Sequence, residues 1–406
     1  MRRWSWIIVS AGLILGSSST SLAVTLIEVA RDTIATNPEV LASAANSKAR
    51  GYDVYAAVGQ YLPHVSGRAA GGRQRSTNPN VRALNRTHLT LNRSEFSLSA
   101  TQLIVDGWGV GSQVRESVYG SQGAKYDLKT VCENVLLEVS EAFLNVKRAR
   151  ELHSFAKTNV KIHQETLRKV TLLYRGGAGT RADTALARSR LARAQAQERI
   201  AQGALETAIT RYCTVSGQSP ADDLTMPLQP TRLLPRTLYS ALSIGMDTNP
   251  AVLSARSMAA AASAHVGVTR SRFFPRIDAE ISATANNNMN GLEGSDGDFR
   301  GMAVMNYDLI AGGTDLAAYN ASKADRVKAM RNAQETQRQV RELIRNAWTD
   351  YAVSHDDIEH YTDNVESEER VVTDYRKQFD LGQRDLFILL DAQDDLYTGQ
   401  NSLVNA

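Results

Sequence analysis

The chain is one unit written twice, and that duplication limits the folds open to it more than any other feature. Thr36-Asn37-Pro38-Glu39-Val40-Leu41 returns as Thr248-Asn249-Pro250-Ala251-Val252-Leu253, and Tyr61-Leu62-Pro63 returns as Phe273-Phe274-Pro275, each 212 positions later. Further on the offset is 205: Asp106-Gly107 matches Ala311-Gly312, and Tyr174-Arg175-Gly176-Gly177 matches Phe379-Asp380-Leu381-Gly382. The lost residues fall between the Pro and the later Gly, so loops are placed there, where length changes are tolerated best.

Both copies follow one grammar. A helix starts after each Asn-Pro and stops before Pro63 or Pro275, since proline neither continues a helix nor permits one in the residue before it. Period-2 segments come next. Ile277, Ala279, Ile281 and Ala283 share a face opposite Arg276, Asp278, Glu280 and Ser282, and Phe96, Leu98 and Ala100 alternate with Glu95, Ser97 and Ser99. Strands with one apolar and one polar face are expected, joined by polar loops at 71–87 and 286–298.

A very long helix follows each hairpin. Cys132, Val139, Val146, His153, Val160, Leu167 and Tyr174 recur every seven residues, with Val135, Ala142, Ala149, Ala156, His163 and Val170 at the companion positions. Moved by 205, the seam reads Gln337, Ile344, Tyr351, Ile358, Val365, Val372 and Phe379, so packed, coiled-coil-like helices are expected. About 65 residues at 1.5 Å each make roughly 95 Å of helix, some three times a bilayer's hydrocarbon core. Such a polar helix stands in water.

The expected organisation is therefore a leader at 1–23, a first repeat at 24–230 and a second at 231–406. The first holds a helix, a hairpin at 64–105, a long helix at 108–175 and a return helix at 180–213. The second holds a helix at 250–272, a hairpin at 276–310, a long helix at 314–380 and a return helix at 384–406. Arg2 and Arg3 before an apolar run, then Ser21-Leu22-Ala23, read as a secretory signal. Without Arg2 and Arg3 the 46 basic residues become 44 against 43 acids, a balance that excludes a nucleic-acid binder. The two cysteines, Cys132 and Cys213, sit in helical patterns and do not form a disulfide framework.

After the signal no run is long and apolar enough to span a bilayer as a helix, so a membrane crossing needs strands. Four strands cannot close a barrel, and an open sheet exposes unpaired backbone to lipid. Two chains supply eight strands, a barrel filled by its own side chains, and three supply twelve, which leaves a lumen. Glu95, Asp278 and Glu280 then face water inside, while Phe96, Phe299 and Tyr307 face lipid.

The two-copy layout, the Asn-Pro openings, Asp106-Gly107 after the second strand and the stretch from Phe379 to Tyr397 together resemble the TolC family of outer-membrane efflux and secretion channels. The resemblance covers nearly all of the chain after the leader. It implies a mixed α and β membrane protein, a homotrimer whose four strands per chain build a twelve-stranded barrel in the outer membrane of a Gram-negative cell. A tunnel of coiled-coil hairpins would continue through the periplasm. It further implies no catalysis and no cofactor or metal. The implied partners are a periplasmic adaptor and an inner-membrane transporter, an ABC exporter or an RND-type pump. The tip wording Gly382-Gln383-Arg384 and Leu389-Leu390-Asp391-Ala392 is most similar to members that serve type I protein secretion, and drug-efflux members share much of it.

The same resemblance implies a gate at the periplasmic mouth. Its basic member aligns with Arg384 and its acidic member with Asp183. The joining hydroxylated aromatic is Phe379 here, without the hydroxyl. Of the family's paired entrance acids only the second is kept, as Asp391, the first being Ile388. Asp391, Asp394 and Asp395, at i, i+3 and i+4, are one helix face and are expected to form a lumenal acidic ring, which attracts cations in a narrow pore. The tips, Gly176, Gly177, Ala178 and Gly179 on one hairpin and Leu381, Gly382 and Gln383 on the other, are expected to dock the adaptor.

Other readings are weaker. Gly107-Trp108-Gly109-Val110-Gly111 between strand and helix imitates a dinucleotide turn, but its strand alternates where a buried parallel strand is continuously apolar. A periplasmic adaptor would carry one hairpin and flanking β domains, and a coiled-coil surface protein needs no lipid-facing strands. His153 and His163 lie on the seam, ten residues apart, and read as packing rather than as a metal pair.

Overall fold

The computed structural model describes residues 25–228 and 233–406. The secretory leader expected at 1–23 lies outside them. The described residues divide into two compact units, each drawn from both repeats: 38–134 with 234–353, and 25–37 with 135–228 and 354–406.

The first of these holds the sheet. Helix α2 (Pro38–Gly59) leads into β1 (His64–Ser76), the short α3 (Pro79–Ala83) lies in the hairpin loop, and β2 (Leu89–Val105) returns. The second copy supplies α6 (Leu238–Thr248), α7 (Pro250–Ser271), β3 (Arg276–Asn287) and β4 (Ser295–Asn306). The four strands form one antiparallel sheet in the order β1-β2-β3-β4. Its register keeps the faces apart. Phe96 pairs with Ala285, and Ala283 with Phe299, on the apolar side, while Thr101 pairs with Glu280 on the polar side. On the polar side Arg93 pairs with Glu95, and Arg276 donates to Asp278 at 2.9 Å.

The strands reach further than alternation suggests. Residues 71–76, expected in a loop, continue β1 and pair with 89–94. Gly71-Gly72-Arg73-Gln74-Arg75 has no apolar face to reveal a strand, and the ladder to β2 makes it one. The remaining loops interlock: Val81 on α3 is fully buried, and Asn78 donates to the Asn290 carbonyl at 2.6 Å.

Helices α4 (Gly109–Arg175) and α8 (Thr314–Asp380) leave the sheet and are 67 residues each. At the start of α4, Gly107 and Trp108 both have positive φ, and the Val110 N–H donates to Asp106 Oδ2 at 2.5 Å. This is a sharp exit from an antiparallel strand, which excludes the dinucleotide turn.

The other unit holds α1 (Leu26–Thr36), the C-terminal part of α4 with α5 (Arg181–Ser216), and the C-terminal part of α8 with α9 (Leu386–Asn405). Most of the α4 seam is covered, with Val139, Val146 and Ala156 at or below 1% exposure, although Tyr174 at its end is 45% exposed. The matching α8 seam is less covered in its middle, where Tyr351 and Ile358 are 46% and 40% exposed, although Val365 is buried. Helix α8 follows β4, an edge strand, whereas α4 follows the interior strand β2. Helices α1 and α6, which precede the Asn-Pro pairs, were not apparent from the repeat. Asn249 both ends α6 and caps α7, accepting from the Ala251 and Val252 N–H groups. Among the described residues no helix is long and apolar enough to cross a membrane, and both cysteines are free.

Candidate functional site

Both hairpin tips are made in the same way. Helix α4 ends with Ala178 N–H donating to the Leu173 carbonyl and Gly177 N–H to that of Tyr174, and Gly177 has φ +80°. Helix α8 ends with Gln383 N–H to Gln378 and Gly382 N–H to Phe379, and Gly382 has φ +72°. This paired closure with a left-handed residue after the helix explains why glycine stands at both breaks. Thr180 then caps α5 and Asp385 caps α9, each accepting backbone N–H bonds from the first turn.

The tips enclose an open groove of about 770 Å³ lined by residues of the expected gate and of both docking tips, among them Gly176, Ala178, Gly179, Asp183, Leu381, Gly382 and Arg384, but by none of the expected acidic ring. Asp183 and Arg384 therefore share a groove, but within one protomer each is engaged elsewhere. Asp183 Oδ2 accepts from the Thr180 N–H and hydroxyl at 2.9 and 2.7 Å. Arg384 donates through Nε and a terminal nitrogen to Gln378 Oε1 at 2.9 and 2.7 Å and stacks on the Tyr375 ring, 3.9 Å from its centroid. Phe379 packs against the buried cluster of Val170, Ala187, Leu386 and Leu390. The hydroxylated aromatic beside the arginine is thus Tyr375, one turn earlier on α8.

The acidic stripe is divided. Asp391 and Asp394 both reach across to α5, where Arg190 meets Asp391 at 2.7 Å and also pairs with Asp394. Arg193 lies 3.5 Å and the buried His163 on α4 3.7 Å from Asp394, the last an ion-pair separation rather than a hydrogen bond. Asp395 is exposed. Burial would raise the Asp394 carboxyl, but His163, Arg190 and Arg193 outweigh it and hold it below the ordinary carboxylate range. Two further pairs join the hairpins nearer the tips, Lys169–Asp380 at 2.9 Å and Arg376–Glu165 at 3.4 Å.

Sequence reasoning passed over Arg190, Gln378 and Tyr375. Arg190 carried a usable signal, because it lies between Ala187 and Ala194 on the buried stripe of α5, where an arginine needs a partner. His153, the other seam histidine, meets Glu198 on α5 at 3.2 Å.

A four-stranded up-and-down sheet continuous with two 67-residue helices, each turning into a return helix, defines a TolC-like channel protomer. The solved CmeC outer membrane channel of Campylobacter jejuni superposes with a TM-score of 0.82 at 16% identity, covering 94% of this chain and 82% of that one. The profile of the outer membrane efflux protein family matches residues 29–217 and 243–406, and the chain belongs to that family. It is 24% identical to the outer membrane efflux protein BepC of Brucella suis over 371 residues, 91% of this chain and 79% of BepC. It is likewise 24% identical to the alkaline protease secretion protein AprF of Pseudomonas aeruginosa over 319 residues, 76% of this chain and 66% of AprF. The chain is an outer-membrane export channel with a periplasmic tunnel.

Proposed function

We propose that three copies of this chain form the outer-membrane conduit of an exporter completed by a periplasmic adaptor and an inner-membrane transporter, and that the tip groove is its gate and docking site. The observation that carries this reading is the convergence of Asp183, Arg384 and both glycine turns on one groove. In the closed trimer Arg384 bonds Asp183 of a neighbouring hairpin through the groups that Gln378 and the Thr180 cap leave over. Such a contact, exposed and weak at about 0–1 kcal/mol, suits a latch that adaptor binding at 176–179 and 381–383 must undo. Arg384→Ala is expected to raise the closed-state conductance of single channels in planar bilayers and to admit large antibiotics in cells. An unchanged conductance would remove Arg384 from the latch.

The cargo we assign is a secreted polypeptide delivered by an ABC exporter. Support comes from the tip wording and from AprF, a protease secretion protein. The second reading, small-molecule efflux with an RND-type pump, is favoured by BepC, an efflux protein. Deletion of the gene separates the two: loss of one protein from the culture medium with unchanged drug tolerance supports the first, and drug hypersensitivity with an unchanged secretome supports the second.

A further inference from the structure

The unit that holds the sheet carries a second feature, independent of the gate. Beside the sheet, α4, α7 and α8 wall a groove of about 600 Å³ into which Arg115, Arg270 and Arg326 all project. No carboxylate lines it; the other polar side chains there are Tyr119, Tyr319 and Ser263. The Nε of Arg326 is buried without a hydrogen-bond partner, and Arg115 is steadied by a 3.2 Å bond to Ser112. Lys323 adds a fourth cation, 5.3 Å from the Tyr319 ring centroid.

Two nearby acids have partners outside the groove. Glu116 meets His265 at 3.0 Å, and Asp315 lies 3.8 Å from Arg272. Three guanidiniums gathered without an acid repel one another, and a buried donor without an acceptor is costly, so the groove is built for an anion that enters it. Planar arginine forks with phenol and serine hydroxyls match the oxygens of a phosphate better than those of a lone carboxylate. We propose that this groove is a phosphate-binding site. It is complete within one protomer, because α7 meets α4 through His265–Glu116 and α8 through Thr269–Ser322 at 2.8 Å.

Two sources present that chemistry, the phosphodiester of a membrane lipid and free phosphate. Arg270 is one residue from the end of α7, Arg115 six into α4 and Arg326 twelve into α8, so by helix rise the groove begins at the helix ends next to the sheet and runs to roughly 18 Å from them. A headgroup layer of roughly 5–8 Å per leaflet borders that level.

The test uses the intact purified trimer. Native mass spectrometry after mild delipidation from phosphatidylglycerol nanodiscs counts retained lipid, and the shift in unfolding temperature is compared in inorganic phosphate and in chloride at equal ionic strength. Up to three retained lipids per trimer, a phosphate-specific shift, or both is expected. Each signal should fall at least tenfold in affinity in the Arg115→Gln, Arg270→Gln, Arg326→Gln triple variant and stay unchanged in Arg331→Gln, a surface control on α8. Retained lipid without a phosphate shift assigns the lipid source, and the reverse assigns the free ion. Should the triple variant not assemble, Arg326→Gln alone is expected to weaken the same signals. Neither signal in the native trimer, or equal signals in native and variant, overturns the proposal.

Discussion

Arg190 shows how one side chain changes the meaning of a motif. In sequence, Asp391, Asp394 and Asp395 are a bare acidic face; in the fold, the first two are counter-charged by an arginine about 200 residues earlier. With 18% of its side chain exposed, Arg190 is far enough from water for its bonds to count. Arg190→Gln is expected to cost about 1.5–3 kcal/mol, the range for hydrogen bonds to charged groups, read as faster amide exchange in α9. The network also sets an acid limit. A carboxylate held below its unfolded value near 3.9 adds stability above that pH and loses it as pH falls through the folded value. Protection of the α9 amides, relative to their intrinsic exchange at each pH, should therefore fall in acid, and in Arg190→Gln the fall should begin at higher pH. An identical acid profile in the variant would show that Arg190 does not hold Asp394 down. The i, i+3, i+4 spacing was readable from local order alone, whereas the pairing depends on which faces of α5 and α9 meet, and no local pattern encodes that.

At the scale of elements, what repeats was readable and what is paired at long range was not. Glycine breaks and heptads located the long helices and their turns to within a few residues, because both signals are local. Helices α1 and α6 have no such local mark, because Asn-Pro signals the start of a helix even where, as at Asn249, the asparagine also ends one. The tail of β1 escaped because its partner, not its composition, makes it a strand. The tip turn offers a clean measurement of backbone cost. A Cβ at Gly382 would meet nothing within 4 Å, so Gly382→Ala should cost only the left-handed penalty, about 1–2 kcal/mol. Gly382→Asn should recover most of it, since asparagine tolerates that conformation. Thermal unfolding of the three proteins checks the order; equal losses in both variants would point to a contact rather than to φ.

For the whole molecule, the sheet decides where the protein resides. Phe299, mid-strand on β4 and 76% exposed, is on the apolar side, and Glu280 on β3 is on the polar side. Phe299→Arg should reduce assembled, heat-modifiable trimer in the outer membrane, at about 2–4 kcal/mol per copy for a basic residue at mid-depth on a lipid face. Glu280→Gln should leave assembly intact; equal tolerance of both would contradict the assignment of faces. The edges of the sheet carry a further consequence. Because four is an even number, β1 and β4 point in opposite directions, so the open edge of one copy is the antiparallel complement of the other edge of the next. Each protomer is thus a head-to-tail tile whose ring closes at a number set by curvature, not by strand parity. Until it closes, a newly exported chain carries two adhesive edges of 13 and 12 residues. Its maturation is a race between ring closure and disordered stacking, decided by how long a lone copy waits for its neighbours.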